Sequence, residues 1–76
     1  MTTTVLDARG LKCPLPVLRA RKAMKEVAVG ALLKVLATDP GAPKDFRHFC
    51  ETTGHELVES SEAEGVYSLV IRKTAG

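Results

Sequence analysis

Tryptophan is absent from this 76-residue sequence, and tyrosine and phenylalanine together supply three side chains. So few aromatics argue against the stacking platforms by which proteins bind single-stranded nucleic acid, and direct nucleic-acid binding is not expected. Cysteine is limited to Cys13 and Cys50, and no C-x-x-C occurs, which sets aside a thioredoxin-like dithiol. These two thiols and His48 and His55 lack paired ligand spacing, so no metal site is expected. No apolar run approaches the roughly 20 residues that cross a bilayer. Met1 to Leu6 shows no basic region followed by an apolar stretch, the mark of a secretory signal. These two absences point to a cytoplasmic protein that engages no membrane, where a structural disulfide is not expected. The sequence also shows no Ser-His-Asp set, no catalytic carboxylate pair and no phosphate-cradling glycine loop.

What is present is the balance of a folded domain: 45% apolar and 26% charged residues. The length allows one domain, residues 1–76, with a modest core and no room for a large buried cavity. The net charge of +2 is unevenly spread: residues 1–50 carry nine Lys/Arg against four Asp/Glu, and residues 51–76 carry two against five. This is either a pair of solvated faces or a basic patch for acidic protein partners or RNA.

Six short elements follow from the pattern. Thr3 to Ala8 reads as a strand with Leu6 and Ala8 toward the core, and Arg9-Gly10 breaks it. A helix is predicted from about Pro14 to Glu26, a strand from Leu32 to Thr38, and a turn at Asp39-Pro40-Gly41. A second helix, about Pro43 to Thr53, places Phe46, Phe49, Cys50 and Thr53 on one face, with Gly54 as its C-terminal cap. Strands from His55 to Ser61 and Val66 to Lys73 flank a tight turn containing Gly65. The order β-α-β-α-β-β predicts an α+β fold, a two-layer sandwich with a four-stranded mixed sheet and both helices on one face. The first strand, helix and strand should form a right-handed parallel crossover.

The chemistry-bearing segment is Leu6-Asp7-Ala8-Arg9-Gly10-Leu11-Lys12-Cys13-Pro14-Leu15-Pro16. Proline suits the first turn of a helix, because no donor there is lost. Cys13 is the N-cap if both prolines lie in that turn. Alternatively Leu15 is the cap, because a residue before proline avoids helical geometry. In either register the sulfur of Cys13 sits at the helix mouth. The positive helix end, with Arg9 and Lys12 nearby, predicts a thiol pKa below that of a free cysteine. Leu15 and Val17 retain the N–H groups that would bind the sulfur, while the prolines stiffen the turn and hold the thiol outward. Cys50 reads as a core residue on the Phe46–Phe49 stripe. On the first helix, Val17, Ala20, Ala23, Met24 and Val27 form the core arc. Leu15 and Leu18 lie beside the cysteine. They either close the core under a loop or form an exposed docking lip rimmed by Arg19 and Lys22.

The run Leu6-Asp7-x-x-Gly10-x-x-Cys13-Pro14-x-Pro16 closely resembles the signature of the TusA (SirA-like) sulfur-carrier family. The resemblance continues through Ala37-Thr38-Asp39-Pro40, Lys44-Asp45-Phe46 and Gly54-His55-Glu56-Leu57. It implies a β-α-β-α-β-β sandwich and a sulfurtransferase in which Cys13 carries sulfane sulfur as a persulfide, with no cofactor beyond that transient adduct. It implies a cysteine desulfurase or rhodanese-type donor and a downstream sulfur-acceptor protein. The family's roles are tRNA thiolation, molybdenum-cofactor assembly and sulfur oxidation. Two other functions fit the residues alone: a regulatory or RNA-binding module without chemistry, and a redox thiol protein that uses Cys50 as its resolving thiol.

Overall fold

The computed structural model describes residues 3–74. The chain runs β1 (Thr3–Ala8), α1 (Leu15–Met24), β2 (Leu32–Ala37), α2 (Ala42–Thr53), β3 (Glu56–Ala63) and β4 (Val66–Arg72). The sheet order is β1-β2-β4-β3. β1 pairs parallel to β2, with Ala8 opposite Ala37. β4 pairs antiparallel to both β2 and β3, so the sheet is mixed, as the element order predicts.

Leu33, Val35 and Ala37 of β2 alternate inward with Leu69 and Ile71 of β4. That period of two gives the sheet one buried face. α1 packs over β1 and β2, and α2 over β3 and β4, so both helices cover the same face. The two-layer core centres on Phe46, the largest fully buried side chain. Phe49 meets it edge to face, with ring centroids 6.3 Å apart. Cys50 and Ala42 complete the buried stripe of α2. Gly54 ends that helix in the left-handed conformation, φ 84°, and its N–H donates to the Cys50 carbonyl at 2.9 Å. Glycine adopts that geometry without the Cβ penalty. The hairpin between β3 and β4 turns through Glu64 and Gly65, both at positive φ. Such a two-residue turn matches the twist of the strands it joins.

Two details of α1 differ from expectation. The helix stops at Met24, not Glu26, because the N–H groups of Lys25, Glu26 and Val27 donate three residues back in tightened turns. Val27 is buried all the same, just beyond the helix. Lys73 reaches across to donate at 2.9 Å to the Met24 carbonyl, which also accepts the Val27 N–H. Pro16 is buried too, while Val17 and Ala23 of the predicted arc are half-buried and packed against the core. The proline ring therefore packs into the core as well as stiffening the turn.

The charge asymmetry also resolves into places. Arg19, Arg21 and Lys22 are exposed on α1 and Lys25 at its C-cap, and Glu56, Glu59 and Glu62 are exposed on β3. β3 is an edge strand, and charge there discourages pairing with another chain. Replacing Phe46 by alanine should cost about 3–5 kcal/mol. That is most of the stability of a domain this small, so urea unfolding followed by circular dichroism should show Phe46→Ala largely unfolded. Val58→Ala, at an exposed position, should unfold within about 0.5 kcal/mol of the parent.

Candidate functional site

Parallel pairing of β1 and β2 brings the C-terminal ends of both strands to one edge of the sheet. The loop after β1 therefore lies beside the turn after β2. Gly10, at φ 82°, turns its N–H to the Thr38 hydroxyl at 2.9 Å and joins the two segments. Asp7 and Arg9 form a local clamp: the Arg9 Nε and Nη2 groups donate to the two Asp7 carboxylate oxygens, each at 2.9 Å. The Arg9 backbone N–H donates to the same carboxylate. These hydrogen bonds hold the Asp7 carboxyl at about 2, down from 3.8.

Cys13 is exposed in the turn that leads into α1, and the Cys13–Pro14 peptide is cis. The N-cap is Pro14, which lies between the two predicted alternatives, Cys13 and Leu15. Leu15 accepts the first helical position despite the following proline. Its N–H donates to the Lys12 carbonyl at 2.8 Å, not to the sulfur. Cys13 thus stands one residue before the cap, with Lys12 exposed beside it.

The thiol's electrostatics reverse the expectation. The Cys13 Sγ–H donates to Oδ2 of Asp45, in the first turn of α2. That hydrogen bond, then desolvation, then the negative charges of Asp45 and Asp39, hold the thiol above its ordinary pKa. The helix-end contribution is outweighed because the prolines remove first-turn donors and Leu15 uses its own elsewhere. Arg9 is committed to Asp7. Asp45 lies 32 positions from Cys13, and no spacing rule connects them. Thr38 is equally invisible as a site residue from local pattern. The signal that finds both is topological: a parallel β1–β2 pair places residues 38–45 beside the cysteine loop.

Leu15 and Leu18 are 44% and 52% exposed, so no loop covers them. Arg19 and Lys22 are exposed on the same helix. A separate open groove of about 640 Å³ lies between α1 and α2, walled by Pro14, Val17, Arg21, Asp45 and Phe49. The Arg21 guanidinium sits 5.6 Å above the Phe49 ring. None of the four predicted docking residues lines this groove, which pattern reasoning missed because its walls come from two helices. Among the described residues no three metal-ligating side chains converge. No helix is long and apolar enough to cross a membrane. Cys50 is buried, and burial pushes its thiol up to about 11.

The fold and its single exposed thiol define a small thiol-presenting α+β domain. Residues 4–73 match the family model described as sulfurtransferase TusA, and the chain belongs to that family of sulfur carriers. It is 51% identical over 69 residues to the sulfur carrier protein TusA of Allochromatium vinosum, covering 91% of each chain. It is 49% identical over 71 residues to the TusA of Pseudomonas aeruginosa PAO1, covering 93% of this chain and 90% of that one. The crystal structure of a SirA-like protein from Desulfitobacterium hafniense superposes with a TM-score of 0.82 at 28% identity, covering 97% of this chain and all of that one.

Two measurements check the site. Iodoacetamide near neutral pH should alkylate Cys13 and leave Cys50 unmodified until the chain is denatured, as peptide mass spectrometry would show. Asp7 should titrate near 2 by carboxyl-carbon NMR and return toward 3.8 in Arg9→Ala. Because the folded value is the lower one, any stabilisation from this exposed pair is present above the unfolded value. It is lost as pH falls from about 4 through about 2.

Proposed function

We propose that Cys13 accepts sulfane sulfur as a persulfide and relays it to an acceptor protein. The observation that carries the proposal is the exposure of Cys13 in a chain whose other cysteine is buried. Membership of the sulfur-carrier family supports sulfur as the cargo. The donor is a cysteine desulfurase or a rhodanese-type protein, and the acceptor serves tRNA thiolation, molybdenum-cofactor assembly or sulfur oxidation. Asp7, Arg9, Gly10, Lys12, Pro14 and Pro16 shape and hold the turn that presents the thiol. Leu15, Leu18, Arg19 and Lys22 form the surface on which a partner docks, an apolar lip with a basic rim.

The chemistry asks little of the carrier. The Cys13 sulfur attacks the outer sulfur of a donor persulfide, and a new S–S bond forms as the donor's S–S bond breaks. The bonding pair leaves on the donor sulfur, which takes up the proton that Cys13 loses. Transfer to the acceptor repeats the exchange. Water exclusion and further acid–base groups come from the docked partner, because an open surface thiol has neither. The redox alternative needs Cys50 as its resolving thiol, and burial in the α2 core stripe argues against that.

Cys13→Ser should fold normally and take up no sulfur from a desulfurase or a small persulfide donor. Intact-mass spectrometry reads the added 32 Da of one sulfur atom, roughly the increment expected for a persulfide. Sulfur retained by the variant, or mapped to Cys50, would sink the proposal. Leu18→Asp should slow loading from a protein donor by about tenfold or more, with Cys13 alkylation by iodoacetamide unchanged.

A further inference from the structure

We infer that Asp45 selects the carrier's partners: it holds the Cys13 thiol in a hydrogen bond in the free protein and releases it to a protein that brings a lysine or arginine beside its own reactive cysteine. This rests on the persulfide-relay proposal above for its biological meaning, although its test does not.

The thiolate is the nucleophile in sulfur transfer. A carrier that activated its own thiol would place cations around it. This chain places carboxylates there. Asp45 accepts the hydrogen bond from Cys13 Sγ. Asp39 joins it from the turn after β2, where its Oδ2 accepts the Gly41 N–H at 2.9 Å. The two carboxylates converge on Gly41: a Cβ there would lie 3.0 Å from Asp39 Oδ2 and 3.9 Å from Asp45 Oδ2. Among the described residues neither takes part in an ion pair. The ion pairs among the described residues are Arg9–Asp7 and Arg72–Glu56. Of the two motif cations, Arg9 is therefore engaged with Asp7, and Lys12 is exposed. Lys44, His48 and Arg21 border the groove beyond Asp45, and none lies within ion-pair distance of it.

Activation must then arrive with the partner. A cation set against Asp45 removes the acceptor of the thiol proton bond and cancels the negative field at the sulfur. Cys13 then loses its proton where the partner's sulfur is already in place. The surrounding rim has the opposite demand, since Arg19 and Lys22 favour acidic residues. The partner's surface is thus acidic around the contact and basic at its reacting centre. A neutral or anionic small disulfide meets a protonated thiol and reacts slowly.

The test uses the folded full chain and synthetic peptides whose one cysteine is a mixed disulfide with 2-thiopyridine. Lysines flank the cysteine in one peptide and glutamates in the other. Cys13 sulfur attacks the peptide sulfur, the bond to the pyridine sulfur breaks, and pyridine-2-thione leaves with the pair and the proton. Its absorbance gives the rate. Relative to the same ratio for N-acetylcysteine, the parent should prefer the lysine peptide by about tenfold at low salt, with the preference shrinking in high salt. Asp45→Asn should bring the ratio to within about twofold and shift the pH profile of Cys13 alkylation to lower pH. Asp45→Glu should restore the preference and the profile. Circular dichroism confirms that each variant is folded, and the Glu variant keeps the test decisive if Asn perturbs α2. A full lysine preference in Asp45→Asn, or an unmoved alkylation profile, overturns the inference. These assays involve no sulfane sulfur, so a failure of persulfide loading would overturn the relay proposal and leave this result standing.

Discussion

The parallel pairing of β1 with β2, in which Ala8 faces Ala37 across the ladder, is the constraint on which the site depends. A parallel pair cannot be closed by a tight turn, so the chain must cross over through α1 before β2 begins. Both strands then end at the same edge, and both exit loops start there. One loop carries Cys13; the other carries Thr38, Asp39 and Gly41 into α2. The Gly10 N–H to Thr38 hydroxyl bond ties these loops together, and the first turn of α2 then lies against the cysteine. A slip of β1 by one residue in that register would turn Ala8 away from the core and shift the cysteine loop against Thr38.

Small size shapes the rest. Two helices on one sheet face make a thin core of mostly aliphatic side chains around Phe46 and Phe49, and that core encloses no reaction chamber. The thiol must therefore stay outside. Exposure makes it available to partners and equally to any passing electrophile. The hydrogen bond to Asp45, which raises the thiol's pKa, limits the second exposure without closing the first, since a thiol reacts far more slowly than a thiolate. The exposed Leu15 and Leu18 fit the same arrangement, because a docked protein can cover apolar surface that the chain itself leaves open.

The elements were legible because short-range rules govern them. Phe46, Phe49 and Cys50 recur at helical spacing, β2 is an apolar run broken only by Lys34, and Gly54 sits where a left-handed cap belongs; the structure follows all three. The end of α1 was less legible, since the turns through Lys25, Glu26 and Val27 keep Val27 buried without extending the helix. The cap position was missed by one residue, because sequence rules for proline set two neighbouring preferences against each other. Leu15 and Leu18 had two possible fates, which only the presence or absence of covering chain could decide.

By itself, the sequence determined an outward cysteine on a proline-stiffened helix start, the core stripe that buries the other cysteine, and the order of six elements. Those are local properties, set by side-chain period and backbone dihedral preference. The charge state of the thiol belonged to the tertiary structure. Local rules placed a positive helix end beneath Cys13 and implied an acidic thiol. Packing of α2 against the cysteine loop brought Asp45 to the sulfur from 32 positions away and inverted that result. Electrostatic interaction depends on distance through space, and only the folded chain fixes that distance.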